Sequence, residues 1–195
     1  MQFTPVAELP GLIIVEPTVH TDHRGFFMES YQRLHFARAG LDIDFVQENH
    51  SYSVRNVLRG LHFQHPHAQG KLVRVTRGEI YDVAVDIRVG SPTFGRWAGI
   101  TLSDSNRRQL YIPPGFAHGF AVLSDEADVI YRCSEFYHPD ADRSLAWNDP
   151  DLAIDWPVAR PIISEKDSKA PTLRALECAG ALPQYDQLAA TGMPG

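Results

Sequence analysis

At 195 residues the chain suits one domain, or one domain with a short appendage, and can bury a substantial core. A net charge of −6 excludes a general nucleic-acid surface, which needs a basic stripe, but leaves room for a local cluster that binds a small anion. Two cysteines, Cys133 and Cys178, cannot make a disulfide framework. The opening Met-Gln-Phe-Thr-Pro-Val lacks the basic and apolar regions of a leader, and no apolar run reaches bilayer length, so free thiols and a cytoplasmic location are the expectation.

In chain order, the pattern predicts strands at Leu12–Val15, Gly25–Glu29, Phe45–Tyr52, Leu61–Gln64, Lys71–Thr76, Ile80–Arg88, Ala98–Leu102, Gln109–Ile112, Gly119–Ser124 and Val129–Phe136. One helix is predicted from Tyr31 to Ala39, stopped by Gly40. Turn residues punctuate the strands at Arg77-Gly78, Gly90-Ser-Pro92, Pro113-Pro-Gly115 and Asp125-Glu126. Many short strands with regular turns indicate an all-β sandwich or barrel rather than alternating strands and helices. From Ser168 the composition shifts toward Ala, Gly, Pro and Leu, with a short helix expected at Leu173–Cys178 and little order in about the last dozen residues.

The two faces of a strand alternate, so Tyr81, Val83, Val85 and Ile87 share one side of their strand and Asp82, Ala84 and Asp86 the other. His62 and Gln64 point together, away from Leu61 and Phe63, while Tyr131, Cys133 and Glu135 share a face. If the apolar faces pack sheet on sheet, the reactive polar groups point into a ligand-binding lumen.

Arg59-Gly-Leu-His-Phe-Gln64, with Gln69-Gly-Lys71 close behind, sets a histidine beside two fixed cations. His65-x-His67 and Pro113-x-Gly115-x-x-His118 look like the two metal motifs of cupins, but Lys71 stands where a metal site needs a carboxylate. The expectation is a cupin barrel without its metal. His62 then serves as general base, since neutral imidazole titrates near working pH. Its carboxylate partner could be Asp167 or, equally from the residues alone, Asp82. Lys71 suits an oxyanion developing beside a ketone, and the Tyr131 phenol can return a proton. Arg24 and Arg59 suit a diphosphate through their fork geometry, and Phe26, Phe27 and Tyr137 offer rings for a base to stack on. His20, His23, His35, His50 and His138 are assigned no role.

Taken in order, Asp22-His-Arg-Gly-Phe-Phe-Met-Glu29, Gln47-Glu-Asn-His-Ser51, Leu58-Arg-Gly-Leu-His-Phe-Gln64, Gln69-Gly-Lys-Leu-Val73, Asp82-Val-Ala-Val-Asp-Ile-Arg88, Ser91-Pro-Thr-Phe-Gly95, Ile112-Pro-Pro-Gly-Phe-Ala-His-Gly-Phe120, Tyr137-His-Pro139, Trp147-Asn-Asp-Pro150 and Ser164-Glu-Lys-Asp167 resemble the dTDP-4-dehydrorhamnose 3,5-epimerases. The resemblance runs from about Gly11 to Asp167. It implies a jelly-roll cupin spanning 1–167 with an extension over 168–195, a homodimer with exchanged strands, and no metal or other cofactor. It also implies proton removal at C3 and C5 of a dTDP-linked 4-keto-6-deoxy sugar. On matching positions, His62 is the base paired with Asp167, Tyr131 the acid, and Lys71 the partner of the enolate oxygen. Arg24, Glu29, Gln47, Asn49, Arg59, His118 and Lys166 are implied to bind the nucleotide sugar. Asp142-Arg143-Ser144 departs from the family's usual Glu-Arg-Gly. Relatives that epimerise one carbon, or act as 3,4-ketoisomerases, share nearly the same base and acid; a metal cupin and a non-catalytic sugar-binding barrel are the readings from other classes.

Overall fold

The computed structural model describes residues 1–186. Its strands are β1 (Gln2–Pro5), β2 (Ile13–Glu16), β3 (Val19–Asp22), β4 (Gly25–Met28), β5 (Gln47–Val54), β6 (Leu58–Gln64), β7 (Lys71–Arg77), β8 (Glu79–Asp86), β9 (Trp97–Ser103), β10 (Gln109–Ile112), β11 (Phe116–Val122), β12 (Glu126–Cys133) and β13 (Asp142–Ser144). Three short helices accompany them: α1 (Arg33–Arg38), α2 (Glu165–Ser168) and α3 (Leu173–Cys178). A six-stranded sheet runs β1-β2-β10-β7-β12-β5, and a five-stranded sheet runs β13-β6-β11-β8-β9. All their named pairings are antiparallel, and neighbours in space are rarely neighbours in sequence. This is a two-sheet jelly roll.

The interior forms where the sheets face each other. Val73, Val75, Leu110, Ile112 and Val129 from the six-stranded sheet meet Ile80, Ala84, Phe116, Phe120 and Val122 from the five-stranded one. Each of these side chains except Ala84 contributes roughly 1.5–3 kcal/mol when fully buried. The Tyr81, Val83 and Val85 face of β8 does not join this interior. It turns outward, with Ile87, Leu61 and Ala117, and is covered by Leu145, Leu152, Leu173, Leu176 and Leu182. Both faces of the five-stranded sheet are therefore buried, because the chain after β13 folds back over its outer side. That is why β8 is hydrophobic on one face and still carries buried Asp82 and Asp86 on the other.

Two glycines set the spacing at the centre of this sheet. Gly60 has φ 112°, and a Cβ there would lie 2.6 Å from the Cα of Gly119. A Cβ on Gly119 would in turn lie 2.6 Å from the Arg59 carbonyl oxygen. Only glycine permits this approach. The register between β6 and β11 shifts at the same point, leaving His62 directly opposite His118.

The predicted helix at Tyr31–Ala39 is shorter, Arg33–Arg38, with the Gln32 side chain accepting from the His35 N–H at 2.9 Å. Gly40 follows with φ 86°, as its stop role requires. The strand expected at Gly119–Ser124 begins earlier, at Phe116, and the one expected at Val129–Phe136 spans Glu126–Cys133. β1, β3, β13 and α2 were not predicted. α3 forms at Leu173–Cys178 behind the Thr172 cap. The expectation of little order in the last dozen residues falls largely on 187–195, outside the described residues.

Candidate active site

Between the sheets, at the end not filled by apolar side chains, lies a cavity of about 270 Å³. Gln47 and Asn49 reach it from β5, Arg59 and His62 from β6, Lys71 from β7, His118 from β11, Tyr131 from β12 and Lys166 from α2. The strand alternation explains their convergence, since His62 and Gln64 face the cavity while Leu61 packs on the outer face.

Behind His62 stands Asp167, with Nε2 and Oδ1 2.6 Å apart. Asp167 is only 4% exposed, whereas the His62 side chain is 39% exposed. Ser164 caps α2, its hydroxyl accepting the Asp167 N–H at 3.1 Å, so the cap orients the carboxylate. Burial pushes the Asp167 carboxyl up, but bonds from His62, Ser164 and the Gly60 N–H outweigh it and hold the group below its ordinary range. An ionised Asp167 accepts the Nε2 proton of His62, which leaves the lone pair on Nδ1.

Asp82, the other candidate partner, belongs elsewhere. Its two oxygens lie 3.1 and 2.9 Å from Nε2 of His118. His118 is 7% exposed and Asp82 wholly buried. Burial raises the Asp82 pKa above the usual carboxylate range, with His118 opposing.

Lys71 is buried, and loss of water lowers its pKa; the Cys133 thiol and the Asp142 carboxylate pull it back. Burial raises the Tyr131 phenol, opposed by the Arg59 charge and a hydrogen bond with Asn49. Arg59 Nε donates to Ser53 Oγ at 2.9 Å and Nη2 to the Tyr52 carbonyl at 3.2 Å. Those bonds hold the guanidinium at the cavity wall. The cavity thus joins an imidazole held by a carboxylate, a buried amine, a half-buried phenol and a guanidinium. That set can remove a proton beside a carbonyl, steady the resulting oxyanion and return a proton.

Arg24 and Glu29 do not reach this cavity within the one chain. Among the described residues β3 and β4 pair only with each other, as a separate two-stranded sheet. Arg24 is tied to Asp22 at 2.6 Å and Glu29 to His35 at 2.8 Å. Phe27, on the same hairpin, is 71% exposed.

The sequence reading missed other wall residues. Gln64 and Gln69 line the cavity and bond the backbone around Phe136. Asp142, singled out only as a departure, accepts from Lys166 Nζ at 2.5 Å and from the Tyr137 hydroxyl at 3.2 Å. The shorter side chain still reaches a cavity cation. Ser51 also lines the wall, with a buried hydroxyl oxygen that has no partner among the described residues. Gln64 was visible as the i+2 neighbour of His62; Asp142 and Ser51 gave no comparable signal.

The family profile described as dTDP-4-dehydrorhamnose 3,5-epimerase matches residues 6–175. A dTDP-4-dehydrorhamnose 3,5-epimerase of Methanothermobacter thermautotrophicus is 57% identical over 169 residues, covering 85% of this chain and 91% of that protein. The Legionella pneumophila dTDP-6-deoxy-D-glucose-3,5-epimerase, solved with dTDP-4-keto-L-rhamnose, superposes with a TM-score of 0.91 at 48% identity, covering 94% of this chain and 98% of that one. A 3'-monoepimerase of Streptomyces bikiniensis, solved with dTDP-quinovose, also gives 0.91, at 37% identity and 96% coverage of each. With a profile match over most of its length and relatives above half identity, the chain belongs to the dTDP-4-dehydrorhamnose 3,5-epimerase family.

Proposed function

We propose that this isomerase converts dTDP-4-keto-6-deoxy-D-glucose to dTDP-4-keto-L-rhamnose by inverting C3 and C5. The observation that carries this is the His62–Asp167 pair at 2.6 Å, opening onto a cavity that also holds Lys71 and Tyr131. His62 takes the proton from the carbon next to the C4 ketone, and the C–H electrons move into an enolate. The Lys71 amine hydrogen-bonds the enolate oxygen as charge develops there. Tyr131 delivers a proton to the opposite face; the resulting phenolate regains a proton from solvent and the His62 imidazolium loses its proton to solvent. Each carbon loses one proton and gains one, so the sugar ends at the oxidation level at which it began. Acid–base help of this kind supplies roughly 10²–10⁴-fold, and the oxyanion partner and orientation supply further acceleration.

Arg59, Lys166, His118, Gln47 and Asn49 bind the nucleotide sugar in this reading. Arg24 and Glu29 complete it from the β3–β4 hairpin of a second copy, in a homodimer with exchanged strands. The exposed Phe26 and Phe27 beside Arg24 support that reading, because one chain leaves them uncovered. Residues 1–167 serve as the cupin-like domain, and 168–195 as an extension whose Leu173, Leu176 and Leu182 close its outer face. A cytoplasmic setting is consistent with two free thiols, Cys133 and Cys178.

One relative favours a second reading. The monoepimerase superposes as well as the double epimerase, so backbone shape does not separate them. Incubation with dTDP-4-keto-6-deoxyglucose in D₂O, followed by NMR, separates them. Deuterium at both C3 and C5 is expected; deuterium at one carbon alone would replace the proposal with monoepimerisation.

A further inference from the structure

One group of side chains near the cavity takes no part in the chemistry above. The His67, Glu135 and His138 ligand atoms all lie within 4.8 Å of one another. Two of these residues come from the segment that follows β12, and His67 from the loop between β6 and β7. The His67 and His138 rings stack with centroids 4.2 Å apart and planes 19° from parallel.

The backbone beneath the group is pinned by two glutamines. Gln64 Nε2 donates to the His67 carbonyl at 2.8 Å, and Gln64 Oε1 accepts the His138 N–H at 2.8 Å. One amide therefore spans both histidines. Gln69 Nε2 donates to the Glu135 carbonyl at 2.8 Å. The Glu135 carboxylate is itself fixed by the Phe136 N–H at 2.8 Å. His67 holds φ 65°, an uncommon conformation for a residue with a side chain. Conformations of this kind persist where the surroundings over-determine them, as the Gln64 bond does here.

Two imidazoles and one carboxylate suit zinc, nickel or copper, while calcium and magnesium prefer all-oxygen shells. Bond lengths of about 2.0–2.2 Å put tetrahedral ligands roughly 3.4 Å apart. Closing the ligand atoms from 4.8 Å to that spacing requires the two imidazoles to rotate out of their stack toward one ion. His65-x-His67 drew attention as a metal motif in the sequence, but Lys71 spoiled the cupin set. In the fold His67 finds different partners.

We propose that His67, Glu135 and His138 form a binding site for a zinc-class divalent transition metal at the rim of the cavity. Its occupation ties the 64–69 segment to the 135–138 segment. Gln64, Gln69 and Tyr137 on those segments line the cavity, so the metal braces that wall. It is separate from the His62–Asp167 pair and contributes no ligand to the proton transfer.

The test is titration calorimetry of ZnCl₂ into the full chain after chelator treatment, against His67→Asn, His138→Ala and a magnesium control. Asparagine tolerates the left-handed conformation at residue 67, so that variant removes the imidazole and keeps the backbone. One zinc per chain is expected, with no magnesium heat. Each variant should weaken zinc by at least about 10–100-fold, the loss that follows even from disturbing an outer partner of a ligand. Zinc should also raise the melting midpoint of the parent chain more than that of either variant. Absence of zinc binding by the parent overturns the proposal. So does unchanged affinity in the variants, or binding lost in His62→Ala instead. Should one variant fail to fold, the other decides.

Discussion

Two histidine–aspartate pairs sit across one strand pairing, and they are built for different work. His62 and His118 oppose each other in register on β6 and β11. Asp82 reaches His118 from β8, the adjoining strand of the same sheet, and both partners are buried. Asp167 reaches His62 from α2, far along the chain, and leaves that imidazole open to the cavity. Burial acts oppositely in the balance: it dominates at Asp82, raising its pKa, and is outweighed by hydrogen bonds at Asp167. The same two side chains thus make a buried cross-strand fixture in one place and, in the proposed reaction, a proton-handling pair in the other. What separates them is how far the imidazole opens to the cavity and the number of donors on the carboxylate, not residue type.

The largest expected effect breaks the pairs apart by activity. His62→Ala should lower kcat by about 10²–10⁴-fold, the range for loss of a general base, while dTDP affinity stays within a few-fold. His118→Ala should instead raise KM, by about tenfold or more, as loss of a hydrogen bond to a charged ligand does. Steady-state kinetics of both variants, with dTDP binding by calorimetry, would merge the two roles if the kcat losses proved equal.

A smaller effect divides the pairs by stability. Asp82→Ala leaves the buried His118 ring nitrogen without its acceptor and should cost about 1–3 kcal/mol. Asp167→Ala leaves a nitrogen that water in the cavity can reach, so it should cost less stability and more activity. Denaturant midpoints and kcat for the two variants should rank in opposite order; the same order in both would remove the distinction.

The two carboxylates also respond oppositely to pH. Asp167 has a folded pKa below its reference of 3.8, so its contribution is present above that value and fades as pH falls through the folded one. Asp82 has a folded pKa above 3.8, so its contribution is full below 3.8 and is lost as pH rises through the folded value. Between about pH 2 and 6, the parent's stability advantage over Asp167→Asn should grow with pH, and that over Asp82→Asn should shrink. Denaturant melts across that range check the two slopes, and slopes of one sign would contradict the assignment.

Local pattern revealed part of this. Gln109–Ile112 appears as β10 with the predicted bounds, and the alternation in β6 correctly sends His62 and Gln64 to one side. Alternation in β8 separated the faces but not their destinations, since what covers the outer face is the distant 145–182 segment. Asp82 and Asp167 were equivalent as residues, and only family resemblance favoured Asp167. No periodicity encodes a contact across 105 positions. β13 is strand only because β6 offers it an edge, as its Asp-Arg-Ser sequence has little strand preference of its own. The Ser164-x-x-Asp167 spacing is a helix-start pattern that a sequence can show, yet α2 was not predicted from it.

The position of α2 also bears on synthesis. Every strand of the described barrel precedes Ser164 in the chain. A ribosome therefore finishes the strands before it makes the carboxylate that sets the His62 tautomer. The side chains that the strands bring to the cavity are thus all made before Lys166 and Asp167. The orienting carboxylate arrives only after the last strand, and a chain released between Ser144 and Asp167 has all its strands and an unaligned imidazole.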